Sequence, residues 1–276
     1  LSRVLCRVAG QWQDHWPATD RGLQYGDGLF ETMRLSAADV PLWRFHAARL
    51  QQGLEALCFP SDSFYLISEA MAELADQIDL GGYSAAKLLV SRGCGPRGYG
   101  LPALTDINIQ LQLMDAADWK WRSLGANAGL VTGVSSVRLG QQPRLAGIKH
   151  LNRLEQVLAR AEFAPQWHEA IMLDSQGQLV EGCFSNLYFS HHGQWLTPSL
   201  QHCGVNGVIR RWLLEQQAIE IVECRLDDLL QADAVVMSNS LTGIVPVQSI
   251  DSLTLSLTHP SLDVMKQLQQ RLESLF

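Results

Sequence analysis

A polar stretch near the middle of the chain, residues 115–123 (DAADWKWRS), breaks an otherwise regular hydrophobic pattern. It carries two tryptophans. It keeps neither the two-residue period of a strand nor the 3.6-residue period of a helix. A break of this kind predicts a linker, with residues 1–114 forming a smaller α/β domain and residues 124–276 a larger one. A chain of 276 residues is long enough for that division, since each part can bury a core of its own.

Before the break, residues 4–12 alternate loosely and predict an opening strand, and a glycine-rich turn over 22–28 leads into a strand over 29–35. Residues 45–57 place Phe45, Ala48, Leu50, Leu54 and Leu57 at helical spacing, and Pro60 bars continuation. A second amphipathic helix is expected over 63–78. Segments 85–91 (AAKLLVS) and 107–114 (INIQLQLM) predict strands, the latter by period-2 alternation. After the break, strands are expected over 130–137, 169–173, 179–180, 187–189, 194–196 and 234–238. Helices are expected over 151–161, 208–217 and 262–276. Asp174-Ser175-Gln176-Gly177 reads as a hairpin turn. The fold class is therefore mixed α/β (α+β), with two domains, and a cleft between two such parts is the default place for a ligand.

Composition excludes several classes. The net charge of −7 offers no general attraction for nucleic acid or an anionic membrane. No apolar run approaches the roughly 18 residues that a spanning helix needs. The first 13 residues carry charges where a signal peptide has an apolar core. Six cysteines without C-x-x-C spacing predict reduced, mostly buried thiols and a cytoplasmic location. The histidines show no metal spacing, and His191-His192 beside Gly193 reads as a solvated turn.

Gly93-Cys94-Gly95-Pro96-Arg97-Gly98 fits G-x-G-x-x-G after a strand, but Tyr99-Gly100-Leu101-Pro102 cannot open the helix that a dinucleotide site requires. Arg92 and Arg97 suit carboxylate binding instead, or a solvated loop. Four other segments hold the candidate chemistry. Lys149 sits where a loop, Leu145-Ala146-Gly147-Ile148, meets a helical run. Glu181 interrupts the apolar run around Leu179-Val180, and a carboxylate entering a core needs a partner. Gly204-Val205-Asn206-Gly207 precedes a helix whose free N–H groups can hold a phosphate. Asp20–Thr32 is a glycine-paced turn into a strand.

In order and content these segments resemble the fold-type IV pyridoxal-phosphate family, over roughly residues 20–247. That family includes branched-chain aminotransferases, D-amino-acid aminotransferases and aminodeoxychorismate lyases. The resemblance implies a larger C-terminal pseudo-barrel domain, pyridoxal 5'-phosphate as cofactor and a homodimer. By position, Lys149 matches the coenzyme-linking lysine and Glu181, in V-E-G-x-x-S-N, the partner of the pyridine nitrogen. Arg49, in F-H-A-A-R-L, matches the phosphate-binding arginine, and the N–H groups of Val208 and Ile209 match the phosphate cup. Ser240 falls where a hydroxyl approaches the phosphate, with Asn239 adjacent.

Two segments resemble the lyase branch in particular: LAGIKHLNRLEQVLAR over 145–160, and S-R-G-x-G-x-R-G-Y over 91–99. This implies 4-amino-4-deoxychorismate as the small-molecule substrate and 4-aminobenzoate and pyruvate as products. Arg92, Arg97, Phe30 and Tyr99 become candidate substrate contacts. Lys149, whose ordinary pKa of about 10.4 a buried site would need to lower, becomes the base at ring C4. Thr32 becomes a catalytic hydrogen-bond donor. An aminotransferase of the same fold, or a non-catalytic small-molecule-binding protein, are the other readings.

Overall fold

The computed structural model describes residues 3–36, 39–75, 83–115 and 128–276. The chain divides into two compact units, Leu1–Ala116 with Ile148–Asn152 and Phe276, and Ala117–Gly147 with Arg153–Leu275. From residue 116 onward the expected linker lies outside the described residues, as do the last residues of the helix expected over 63–78.

The first unit is a five-stranded antiparallel sheet, ordered β2-β1-β5-β4-β3, with two long helices and one short one among the described residues. β1 (Arg3–Val8) and β2 (Gln11–Gln13) form a hairpin where a single strand is expected, because Ala9 and Gly10 both adopt positive φ. β3 (Gly28–Arg34), β4 (Ala85–Ser91) and β5 (Asn108–Met114) pair in full register, Thr32 opposite Lys87 and Lys87 opposite Gln112. Period-2 alternation gives this sheet two unlike faces. Leu29, Met33, Ala86, Leu88, Val90, Ile109, Leu111 and Leu113 bury one face. Phe30, Thr32, Lys87, Leu89, Gln110 and Gln112 form the other, which is half-buried and polar.

α2 (Trp43–Ala56) packs on the apolar face through Phe45, Leu50 and Leu54, and α3 (Ser63–Ala75) packs beside α2. Gly53 permits the approach, since a side chain there would press into Leu29. The glycine-paced turn contains a short helix, α1 (Arg21–Tyr25). Asp20 caps it by accepting from the N–H groups of Gly22 and Leu23, and left-handed Gly26 ends it.

The second unit is a nine-stranded sheet. Its main path is β11-β10-β9-β12-β13-β6-β7-β8, and β14 (Leu253–Thr254) pairs with β13. β6 (Leu130–Leu139) lies parallel between β13 (Gly243–Ile250) and β7 (Glu169–Asp174). β8 (Leu179–Gly182) returns from β7 through the expected turn, and β9 (Asn186–His191) and β10 (Gln194–Pro198) form the next hairpin. β11 (Ile219–Val222), α6 (Leu226–Leu230), β13 and β14 were not foreseen; they are short, or their apolar residues lack a clean period. β12 (Ala234–Asn239) is central and wholly apolar over its first four residues.

The sheet curls. Leu179 at one end donates to the carbonyl of Cys224, just past the strand at the other end, at 2.8 Å. Leu130, Ile171, Leu187, Phe189, Val235, Met237 and Ile250 fill this half-barrel. α5 (Val208–Gln216) packs on β12, and α7 (Leu262–Glu273) packs on β13 through Leu262, Met265, Leu268 and Leu272. α4 (Leu154–Ala161) starts three residues later than its periodicity suggests, because residues 148–152 are held in an extended path. No helix among the described residues is long and apolar enough to cross a membrane.

Candidate active site

Five residues, Ile148–Asn152, interrupt the sequence of the second unit and group with the first. They run along β3. Phe30 N–H donates to the carbonyl of Lys149 at 2.9 Å, Leu151 N–H to that of Gly28 at 3.0 Å, and His150 bridges to Leu29. This backbone grip puts the Lys149 amine on the polar face of the first sheet, 4.3 Å from the centroid of the Phe30 ring. The Lys87 amine lies 5.2 Å from the same centroid. Lys87 has no ion-pair or hydrogen-bond partner among the described residues. Lys149, Phe30, Thr32 and Lys87 thus share one surface, with Lys87 opposite Thr32. Lys87 is a functional candidate that the sequence reading passed over. Its signal was present, as a lone charge inside an apolar strand, the reasoning that singled out Glu181.

Beneath that surface lies a buried ionic cluster. Glu31 accepts from Arg49 Nε at 2.8 Å and from Arg49 Nη2 at 2.5 Å, and His46 Nδ1 lies 2.7 Å from the same carboxylate. All three are at least 96% buried. Burial alone pushes Glu31 upward, but the charge and hydrogen bond of Arg49, with His46, outweigh it and bring the carboxyl down to about 2. Burial, with Arg49 and Lys149 nearby, pushes His46 below its ordinary range despite the Glu31 bond. Arg49 is therefore fixed by a bidentate clamp.

The two loop arginines part company. Arg92 is 2% exposed and its guanidinium is occupied: Nε donates to Asp27 at 2.9 Å, and Nη1 and Nη2 donate to the carbonyls of Cys58 and Leu57. It also stacks 4.2 Å from the Phe59 ring. These bonds make it a structural tie, contrary to the carboxylate contact expected of it. Arg97 is exposed on the following loop, which Arg21 holds by donating to the carbonyls of Gly98 and Gly100 while pairing with Asp27 at 2.8 Å. Tyr99 is exposed and meets Tyr25 edge-on. Bends follow the G-x-G-x-x-G stretch, not a helix.

In the second unit, Glu181 is 4% exposed on β8 and its Oε2 accepts from Val205 N–H at 2.8 Å. Asn186 takes both sides of the next step, donating to the Val205 carbonyl at 2.8 Å and accepting from Gly207 N–H at 3.0 Å. A Cβ on Gly207 would collide with Asn186 Oδ1, so any larger residue there would displace the Asn186 side chain from these contacts. These contacts set the start of α5, which no side chain caps among the described residues, so the first-turn N–H groups of Val208 and Ile209 are left without an intrahelical or capping partner. Arg210, buried, braces the same turn through Asn206, Thr197 and the Pro198 carbonyl.

Asn239 spends its amide oxygen on the turn ending β12, accepting from Leu241 N–H, Thr242 N–H and the Thr242 hydroxyl. The amide nitrogen of Asn239 and the adjacent Ser240 hydroxyl both stay candidate donors to a ligand. Burial pushes the thiols of Cys183, Cys203 and Cys224 up to about 12, so they stay protonated. No metal-ligand cluster occurs among the described residues.

Residues 28–250 match the family described as amino-transferase class IV. The chain is 35% identical to aminodeoxychorismate lyase of Vibrio harveyi over 280 residues, covering 97% of this chain and 99% of that protein. The crystal structure of 4-amino-4-deoxychorismate lyase from Pseudomonas aeruginosa superposes with a TM-score of 0.86 at 37% identity, covering 99% and 100% of the two chains. The branched-chain amino acid aminotransferase of Escherichia coli, 23% identical, shares the fold with a TM-score of 0.80, covering 99% and 94%.

Proposed function

This chain belongs to the amino-transferase class IV family, and on that footing we propose that it is an aminodeoxychorismate lyase, converting 4-amino-4-deoxychorismate to 4-aminobenzoate and pyruvate with pyridoxal 5'-phosphate. The observation that carries the reading is the pair of amines on one aromatic ring. Lys149 lies 4.3 Å and Lys87 5.2 Å from the Phe30 centroid. One amine is placed to move a proton, and the other is a cation with no ion-pair or hydrogen-bond partner among the described residues, suited to a carboxylate.

The residues present fit the coenzyme. The uncapped start of α5 offers the N–H groups of Val208 and Ile209 to a phosphate, with Ser240 and the clamped guanidinium of Arg49 as further phosphate partners. Glu181 supplies a buried carboxylate able to hold a proton on the pyridine nitrogen. Lys149 supplies the amine that links to the coenzyme. When bound, the coenzyme delocalises the negative charge that develops at the substrate carbon.

The chain's own groups then divide the work. The Lys149 amine takes the proton from ring C4. Glu181 keeps the pyridine nitrogen protonated throughout. Lys87, with Arg97 as a second candidate, grips a substrate carboxylate, and Phe30 packs against the ring. The Thr32 hydroxyl, directly opposite Lys87, orients the enolpyruvyl oxygen as it leaves. The ring becomes aromatic as that C–O bond breaks, which makes the step favourable. Homodimerisation and a cytoplasmic location belong to the same proposal, supported by family membership and by the six thiols left free.

The deciding experiment is product analysis with 4-amino-4-deoxychorismate and no 2-oxo acid. Equal amounts of pyruvate and 4-aminobenzoate are expected. Turnover that requires a 2-oxo acid acceptor would instead make the chain an aminotransferase.

A further inference from the structure

A second carboxyl lies behind the Glu181 strand, and the chemistry above does not use it. Glu169 opens β7, is fully buried, and forms no ion pair among the described residues. Its contacts converge on one short turn. Ser185 Oγ donates to Glu169 Oε2 at 2.7 Å, and Phe184 N–H donates to the same oxygen at 3.3 Å. The other oxygen accepts from Ala170 N–H at 2.9 Å. The turn itself is closed by Gly182 N–H donating to the Ser185 carbonyl and by Cys183 N–H donating to that of Ala170. A Cβ on Gly182 would press against this carboxyl at 3.0 Å, so the two are packed face to face.

That turn separates Glu181 from Asn186. The first receives Val205 N–H, and the second binds the Val205 carbonyl and Gly207 N–H. The three backbone groups they hold lie immediately before the first turn of α5. The spacing of two side chains, and through them the start of a helix, therefore depends on how firmly residues 182–185 are tied down.

We propose that Glu169 is a positioning residue for the coenzyme site, clamping the 182–185 turn so that Glu181 and Asn186 hold residues 205–207 at the N-terminus of α5. The inference rests on the reading that this chain binds pyridoxal 5'-phosphate, and the test separates the two. Burial raises the Glu169 carboxyl to about 8, so at neutral pH it is largely uncharged. The neutral amide of Glu169→Gln keeps the oxygen that Ser185 and Phe184 use.

The experiment is equilibrium dialysis of the apoprotein against pyridoxal 5'-phosphate, which needs no turnover, alongside thermal melting. Glu169→Ala is expected to raise the coenzyme Kd by about 10-fold or more, the order that loss of an outer supporting partner costs other ligand sites. Glu169→Gln should stay within about 3-fold of wild type, because a hydrogen-bonded neutral group is retained. Leu229→Ala, a core change in the same unit, should lower the melting temperature and leave Kd unchanged. Wild-type protein that takes up no coenzyme would overturn the proposed function. Coenzyme binding by wild type with an unaltered Kd in folded Glu169→Ala would overturn this inference alone. Should Glu169→Ala not fold, Ser185→Ala decides: a rise of about 3- to 5-fold supports the clamp, by loss of one buried hydrogen bond, and no rise refutes it.

Discussion

Replacing Lys87 by glutamine tests whether the polar face of the first sheet binds substrate. The side chain is half-buried, projects beside Thr32, and has no competing carboxylate among the described residues. Its charge is therefore available to a ligand. A hydrogen bond to a charged group contributes about 1.5–3 kcal/mol. At RT near 0.59 kcal/mol this corresponds to roughly 10- to 150-fold in affinity. The lower half of that range is the better expectation, because a half-exposed pair is screened by solvent. Glutamine keeps two of the four side-chain methylenes and a donor, so the change removes chiefly the charge. Initial-rate measurements with 4-amino-4-deoxychorismate should show KM raised by about 10- to 40-fold, at the weak end of the same estimate. The drop in kcat should be smaller, and coenzyme affinity should be unaltered. Added salt should weaken substrate binding in wild type more than in the variant, since screening acts only where the charge remains. An unchanged KM, or a rise matched by an equal loss of coenzyme, would refute the assignment and return the carboxylate to Arg97 or another group.

Other perturbations separate the remaining roles. Lys149→Ala should abolish lyase turnover, and its protein should show no coenzyme covalently trapped by borohydride; a wild-type rate would end the central proposal. Arg92→Ala should cost about 3 kcal/mol of stability, the order for breaking a buried pair, read as a shifted denaturation midpoint, with KM within about 2-fold of wild type, since the arginine is a tie rather than a contact. Glu31 is held at about 2, below the ordinary 4.5, so its stabilisation is present above pH 4.5 and is lost as pH falls toward 2. Glu31→Gln should flatten the acid limb of stability against pH. Glu169 behaves oppositely: with its carboxyl raised to about 8, stability falls as pH rises from 4.5 to 8 by up to about 1.4 kcal/mol per pH unit. Glu169→Gln should remove that slope.

The strands of the first sheet and the long helices were legible because each pairs one wetter face with one dry face, as residues 108–114 do, whereas β7, β8, β9 and β12 are buried on both faces and were legible as short apolar runs. The misses have physical causes. Ala9-Gly10 adopts positive φ in a segment whose alternation runs straight through it, and β11 is four residues long with no buried position. Of the proposed site, Lys149, Glu181 and the start of α5 stood out as candidates in the sequence because each breaks a local pattern. Arg92 misled because a guanidinium looks the same in sequence whether it faces a ligand or ties two loops. Glu31 and Glu169 escaped because burial and partnership are tertiary facts. Neither residue has a sequence neighbour that announces Arg49 at eighteen positions' distance or Ser185 at sixteen.

The five-residue excursion from Ile148 to Asn152 has a consequence for how such chains can be recombined. If residues 1–115 were exchanged for those of a relative, Lys149 and Leu151 would stay with the recipient while Phe30 and Gly28, the groups that grip their backbones, would come from the donor. A chimera joined at the apparent boundary thus inherits a mismatched cradle, and moving 148–152 with the donor segment should restore it. The working unit of inheritance is a discontinuous piece of sequence.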